Sequence, residues 1–128
     1  MSKKGEIGAV IVAGGAGTRR GGEEEKLFVD LGGIPLLALT LRSFQECPEV
    51  DRIVLAVSSR VAAGLEEKVF SIVGRRKVAA VVPGGPRRQD SVFNGLGAFS
   101  PPPAAVLVHD GDRPFVSPAL IGTVSRRA

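Results

Sequence analysis

The sequence predicts an α/β domain built on a mainly parallel, doubly wound sheet, and three observations carry that expectation. Short apolar runs alternate along the chain with stretches of helical period. The runs IGAVIVA, RIVLAV and AAVLV are almost continuously apolar, as strands buried on both faces read. Regular alternation of strand and helix, rather than blocks of either, covers a parallel sheet on both sides.

Ile7 to Ala13 reads as the first strand. Pro35 to Cys47 reads as a helix, with Leu37, Leu41 and Phe44 on one face at i, i+4 and i+7 and Pro35 acceptable in the first turn. Arg52 to Val57 is the second strand, and Ala62, Leu65, Val69 and Ile72 line one face of the second helix. Lys77 to Val82 is the third strand, closed by Pro83, Gly84 and Gly85. Val92, Leu96 and Phe99 mark a third helix, which the three prolines 101–103 stop because proline lacks the N–H and fixes its backbone. Ala104 to Val108 is the fourth strand, and Ser117 with Pro118 supplies the N-cap and first residue of a last helix. Nothing resembles a linker or repeat, so residues 1–128 read as one domain.

A chain of 128 residues can bury a sizeable core in a single domain. It carries 17 Lys and Arg against 13 Asp and Glu, a surplus that suits an anionic small molecule. The basic pairs are scattered and no aromatic residues interleave them as stacking platforms, which argues against nucleic acid. Cys47 is the only cysteine, so there is no internal disulfide and a reducing cytoplasm is expected. One cysteine and one histidine exclude a zinc site of the Cys/His type. The start superficially resembles a signal peptide, but Glu6 interrupts it and Arg19 and Arg20 stand where small residues should precede cleavage. No apolar run approaches the ~20 residues of a membrane span.

Open α/β sheets bind ligands beyond the carboxyl ends of their strands. Here the first strand is followed by GGAGTRRGGEEEK, the third by PGGPRRQDS and the fourth by HDGDRPF. In the first loop, Gly14, Gly15 and Gly17 let bare N–H groups approach an anion. Arg19 adds a fork of donors and Lys26 a movable point charge for phosphate oxygens. The GxxxxGK[ST] signature is absent, and GxGxxG fails at Arg20, so this loop alone is equally compatible with a turn. In the second, Arg87, Arg88, Gln89, Asp90 and Ser91 open a helix whose N-terminus attracts anions; alternatively Asp90 and Ser91 only cap it while both arginines face water. In the third, Asp110 ends a buried strand, where a carboxylate is costly without a cation. Magnesium takes one or two carboxylates plus phosphate oxygens, and Asp110 supplies the first. Gly111 admits a ligand beside it, and Arg113 orients Asp110 or binds phosphate; the alternative is a structural ion pair of Arg113 with Asp110 and Asp112. His109 is expected to orient the strand end.

Together, AGGAGTRRGGEEEKLFVDLGGIPLLALTL, GGPRRQDSVFNGL and VLVHDGDRPFVSPALI resemble the 2-C-methyl-D-erythritol 4-phosphate cytidylyltransferases of the non-mevalonate isoprenoid pathway, from about Gly8 to Ile121. The glycine loop is shared by many sugar nucleotidyltransferases; the second and third motifs are more specific. The resemblance implies a Rossmann-like fold of the nucleotidyltransferase, glycosyltransferase-A-like type, incomplete at its C-terminus. It also implies CTP and a polyol phosphate as substrates, Mg²⁺ as cofactor, and a homodimer for the full-length protein. Arg19 and Lys26 match the basic pair that stabilises the transition state, and Asp110 matches the metal ligand. Ala13, Gly14, Gly15, Gly84, Gly85, Arg88 and Ser91 match positions that hold the nucleotide. Arg20, Glu25, Leu27 and Asp112 depart from the usual Met, Pro, Gln and small residue. HDG in place of HDA also occurs in related pentitol-phosphate enzymes, which leaves ribitol 5-phosphate as an alternative acceptor. Family members continue into a segment with a dimerising arm and the polyol-phosphate site, so the expectation is an N-terminal portion, with CTP binding without turnover as the other reading. The fourth strand is expected at the sheet edge, apolar on both faces.

Overall fold

The structure, a computed structural model, describes residues 5–13, 30–31, 34–113 and 117–127. β1 (Ile7–Ala13), β4 (Arg52–Val57), β5 (Val78–Pro83) and β6 (Ala105–Asp110) form one sheet in the order β5-β4-β1-β6. Every neighbouring pair in it is parallel, with Val10 opposite both Val54 and Val108. The α/β expectation holds, and β6 pairs only with β1 among the described residues. One addition is a short antiparallel pair, β2 (Asp30–Leu31) with β3 (Ile34–Pro35), which leads into helix α1 (Leu36–Glu46). Pro35 therefore precedes the helix instead of starting it.

β1 sorts its side chains between two cores because strand neighbours point to opposite faces. Ala9, Ile11 and Ala13 join Leu37, Leu41 and Phe44 of α1 in the larger cluster, with Ile121 of helix α4 (Pro118–Arg127). Val10 enters the smaller cluster with Val54, Ala56 and Phe99. Helix α3 (Arg88–Leu96) covers that second face. At the end of α1, Cys47 is buried and its thiol donates to Glu49 Oε1 at 3.3 Å. Burial, foremost, pushes this thiol above its ordinary range, which keeps it neutral and unreactive.

Two helices turn differently from their apolar spacing. Helix α2 runs through three consecutive segments, Ser59–Leu65, Glu66–Phe70 and Ser71–Val73, the middle one a wide π-helical turn. The extra residue in a π turn rotates everything after it. Val61, Leu65, Val69 and Phe70 face inward and Ala62 is exposed, and beyond the wide turn Ile72 is 47% exposed. In α3 the buried residues are Ser91 and Gly95, not Val92 and Leu96, and Leu96 and Phe93 lie exposed. Phe99, beyond the helix end, is buried as expected. The reason is close approach: a Cβ on Gly95 would lie 2.6 Å from Val10 Cγ1, so only a bare backbone lets α3 rest on β1. No helix among the described residues is long and apolar enough to cross a membrane.

Val10 is a stiff core side chain that cannot swing away. Gly95→Val is accordingly expected to lower the free energy of unfolding by about 1–3 kcal/mol through overpacking. A urea melt checks this, and an unchanged midpoint would show that α3 does not rest on Val10.

Candidate functional site

Because the four strands of the main sheet are parallel, the loops after them leave one edge. Backbone hydrogen bonds stitch that edge together. The Gly84 N–H donates to the Val57 carbonyl at 2.8 Å and the Gly111 N–H to the Val12 carbonyl at 2.8 Å. Ser58, which follows β4, donates to the Ala13 carbonyl at 3.4 Å.

Ala13, the last residue of β1, is buried and backs the edge. Gly14, Gly15, Gly17, Arg19 and Lys26 lie outside the described residues, as do the departures at Arg20, Glu25 and Leu27.

The second loop closes on its own helix. Gly85 is buried, its N–H donates to Ser91 Oγ at 2.9 Å, and a Cβ there would overlap the Asp90 Cβ. Ser91 thus ties the loop to α3 instead of capping it. The N-cap is Arg87, whose N–H donates to Asp90 Oδ2 at 3.2 Å. The Arg87 guanidinium also donates to both Asp90 oxygens, at 3.0 and 3.2 Å. That hydrogen bond, before any other cause, holds the Asp90 carboxyl below the usual carboxylate range. Asp90 therefore fixes Arg87 at the helix start. Arg88, the next residue, points elsewhere.

Arg88 Nε donates to Asp110 Oδ1 at 3.0 Å, joining the second loop to the third across 22 residues of sequence. Arg113 Nε lies 3.4 Å from the other oxygen, Asp110 Oδ2. The carboxylate is the more shielded partner, 29% exposed against 57% for Arg88 and 75% for Arg113. Asp112 is exposed and joins no ion pair among the described residues, so the alternative in which Arg113 also pairs with it does not form. His109 Nε2 bonds the Arg113 carbonyl at 3.1 Å and its ring tilts against Phe44 with centroids 5.2 Å apart, which steadies the strand end.

At Gly111 the missing side chain answers to packing. The glycine is buried, and a Cβ there would lie 2.9 Å from both Ala13 Cβ and Leu37 Cδ1. The space its missing side chain leaves is filled from within the protein. Thr40 of α1 goes unnoticed in the sequence, although a lone hydroxyl between Leu37 and Leu41 on an apolar face was the available signal. Its buried Oγ1 donates to the Gly111 carbonyl at 2.9 Å, with the Leu36 carbonyl at 3.2 Å. This bond holds the residue after Asp110.

No group of three or more His, Cys, Asp or Glu able to hold a metal exists among the described residues. A lone, partly shielded carboxylate does not make a protein cage. It fits a magnesium ion that keeps water and takes most ligands from a substrate's phosphates.

The sequence profile of the 2-C-methyl-D-erythritol 4-phosphate cytidylyltransferases matches residues 7–127. The chain belongs to this family. A relative in Pelotomaculum thermopropionicum bearing the family's name is 41% identical over 123 residues, covering 96% of this chain and 52% of the relative. The bifunctional enzyme IspD/IspF of Desulforudis audaxviator is 44% identical over 120 residues, covering 94% of this chain and 30% of the relative. Among solved structures, the 4-diphosphocytidyl-2C-methyl-D-erythritol synthase of Anaerococcus prevotii superposes with a TM-score of 0.70 at 30% identity, covering 91% of this chain and 48% of that one. The chain spans about half the length of most of the cytidylyltransferase relatives it matches.

Two outcomes follow from this geometry. Thr40→Val removes the donor to Gly111 while keeping the shape, and unfolding free energy should fall by about 1–3 kcal/mol, with Thr40→Ser recovering most of it. Urea melts of the three proteins decide, and equal stability of Thr and Val would remove this bond from the site's support. For Asp90, a folded pKa below the unfolded one means a contribution complete above the unfolded value, near pH ~4, and lost as pH falls through the lowered one. The difference in urea midpoint between wild type and Asp90→Asn should be constant above about pH 5 and shrink below the ordinary aspartate range. A difference that grows on acidification would reverse the assignment.

Proposed function

We propose that this chain is the nucleotide-binding portion of a cytidylyltransferase that transfers CMP from CTP to 2-C-methyl-D-erythritol 4-phosphate and releases pyrophosphate, in isoprenoid precursor synthesis. The observation that carries the reading is the contact of Arg88 with Asp110 at 3.0 Å. It brings the second and third motifs together over the carboxyl edge in a chain of this family.

In this reading a phosphate oxygen of the acceptor attacks the α-phosphorus of CTP in line. The bond from that phosphorus to the bridging oxygen breaks, and pyrophosphate leaves. No protein nucleophile is required. Arg19 and Lys26 neutralise charge that builds on the α-phosphate, where fixed cations act most strongly. Ala13, Gly14, Gly15, Gly17, Gly84, Gly85, Arg88 and Ser91 hold the nucleotide, and Arg113 orients Asp110. Asp110 would hold Mg²⁺ together with phosphate oxygens; the ion supplies Lewis-acid neutralisation of the phosphates. The full-length protein acts as a homodimer in the cytoplasm, a compartment that suits the buried, unpaired thiol of Cys47.

Gly111 bears on the acceptor. Its side-chain position faces Ala13 and Leu37 in the interior, so the glycine of HDG answers to packing and lends no support to a pentitol phosphate.

Calorimetry with CTP, GTP and ATP in Mg²⁺ should show CTP bound at least about tenfold more tightly, or ~1.4 kcal/mol. Equal affinities would remove the cytidine reading. Pyrophosphate release should be faster with 2-C-methyl-D-erythritol 4-phosphate than with ribitol 5-phosphate; the reverse order would reassign the acceptor. CTP binding with no release from either would make the chain a binding module.

A further inference from the structure

We infer that Arg88 is a latch on Asp110: it keeps a divalent cation off the carboxylate until an anionic nucleotide draws the guanidinium away. The inference rests on the reading of this edge as a nucleotide site and adds an order of events to it.

Both Asp110 oxygens are engaged, Oδ1 by Arg88 Nε at 3.0 Å and Oδ2 by Arg113 Nε at 3.4 Å. Two positive charges thus flank one negative charge. A cation arriving alone would meet net repulsion there, and no cluster of carboxylates elsewhere among the described residues offers an alternative. A triphosphate changes both terms. It brings oxygen ligands for the cation and a negative charge that competes for the guanidinium.

Arg88 is built to be the part that moves. It binds Asp110 through Nε alone among the described residues, which leaves the outer N–H groups of its fork for an anion. Its side chain is 57% exposed, against 29% for the carboxylate it holds. It stands on the first residue of α3, where helix N–H groups favour phosphate. Its neighbour Arg87 cannot substitute, because Asp90 holds that guanidinium at 3.0 and 3.2 Å. Arg113 stays beside Asp110 through its own N–H, which donates to the Asp110 carbonyl at 3.2 Å. The adjacent arginines divide the work: one fixes the helix, the other guards the carboxylate.

A contact that opposes the cation and is released by the nucleotide couples the two ligands, and the coupling is reciprocal. Removing the guanidinium should therefore tighten cation binding in the absence of nucleotide and weaken the help that nucleotide gives.

The test is Mn²⁺ binding to the whole chain, followed by the loss of the free-ion electron paramagnetic resonance signal, without and with CTP. Wild type should bind Mn²⁺ weakly alone and at least about tenfold more tightly with CTP, within the usual range of coupling. Arg88→Gln should bind Mn²⁺ alone about tenfold more tightly than wild type, and CTP should then add little. Arg88→Lys, which keeps the charge, should stay close to wild type, and so should Arg87→Gln. Circular dichroism melts confirm that each variant is folded. Unchanged Mn²⁺ affinity in Arg88→Gln, or no binding in either protein, overturns the latch. Tighter Mn²⁺ in Arg88→Gln with no CTP binding in any variant keeps the latch and sinks the nucleotide reading instead.

Discussion

β1 is hydrogen-bonded in parallel to β4 on one side and β6 on the other, and parallel neighbours require each connection to cross back over the sheet. Those crossings become the helices on its two faces, so β1 is apolar throughout and feeds two cores. The same parallel pairing collects every strand's carboxyl end on one edge. The opposite edge is closed by structural contacts: Ile7 N–H reaches Asp51 Oδ2 at 2.8 Å, and Arg52 pairs with Glu6 at 2.8 Å. Charged contacts thus close one end of the sheet, while at the other Arg88 and Arg113 gather around Asp110.

At the gathering end, adjacent residues have different fates. Arg87 and Arg88 are chemically identical, yet one is the N-cap and the other the first helical residue, so their side chains leave in different directions. Asp90 lies three residues from the first and takes it. Asp110 ends the only strand that neighbours β1 on that side and takes the second. Helix phase alone sends one arginine to Asp90 and the other to Asp110.

β1 and β4 were legible because burial on both faces leaves an almost unbroken apolar run, while β5 and β6 are the partly exposed edge strands. The second and third motifs follow those two edges, and the long side chain of Arg88 is what joins them. Helix faces were legible only where large side chains do the packing. In α1 they do, and Leu37, Leu41 and Phe44 lie inward as their spacing implies. Ile72 faces out because a π turn leaves no mark on a 3.6-residue period. Leu96 faces out because α3 docks through Ser91 and Gly95, which a search for bulky residues passes over. Asp110 was legible as a costly carboxylate with Arg113 beside it, but its second partner, Arg88, comes from a separate loop and depends on where that loop ends. Thr40 was in plain view as a hydroxyl among leucines, and its meaning required knowing that Gly111 lay opposite.

The bare backbone of Gly95 against Val10 reaches further than packing. Gly95 and Arg88 ride on one rigid helix, seven residues or roughly 10 Å apart at the usual rise, so the height of the first over the sheet sets the reach of the second. Bulk at positions 10 and 95 is then a shared quantity. Among related chains, enlargement at one should appear alongside reduction at the other, as an inherited pair rather than two separate preferences.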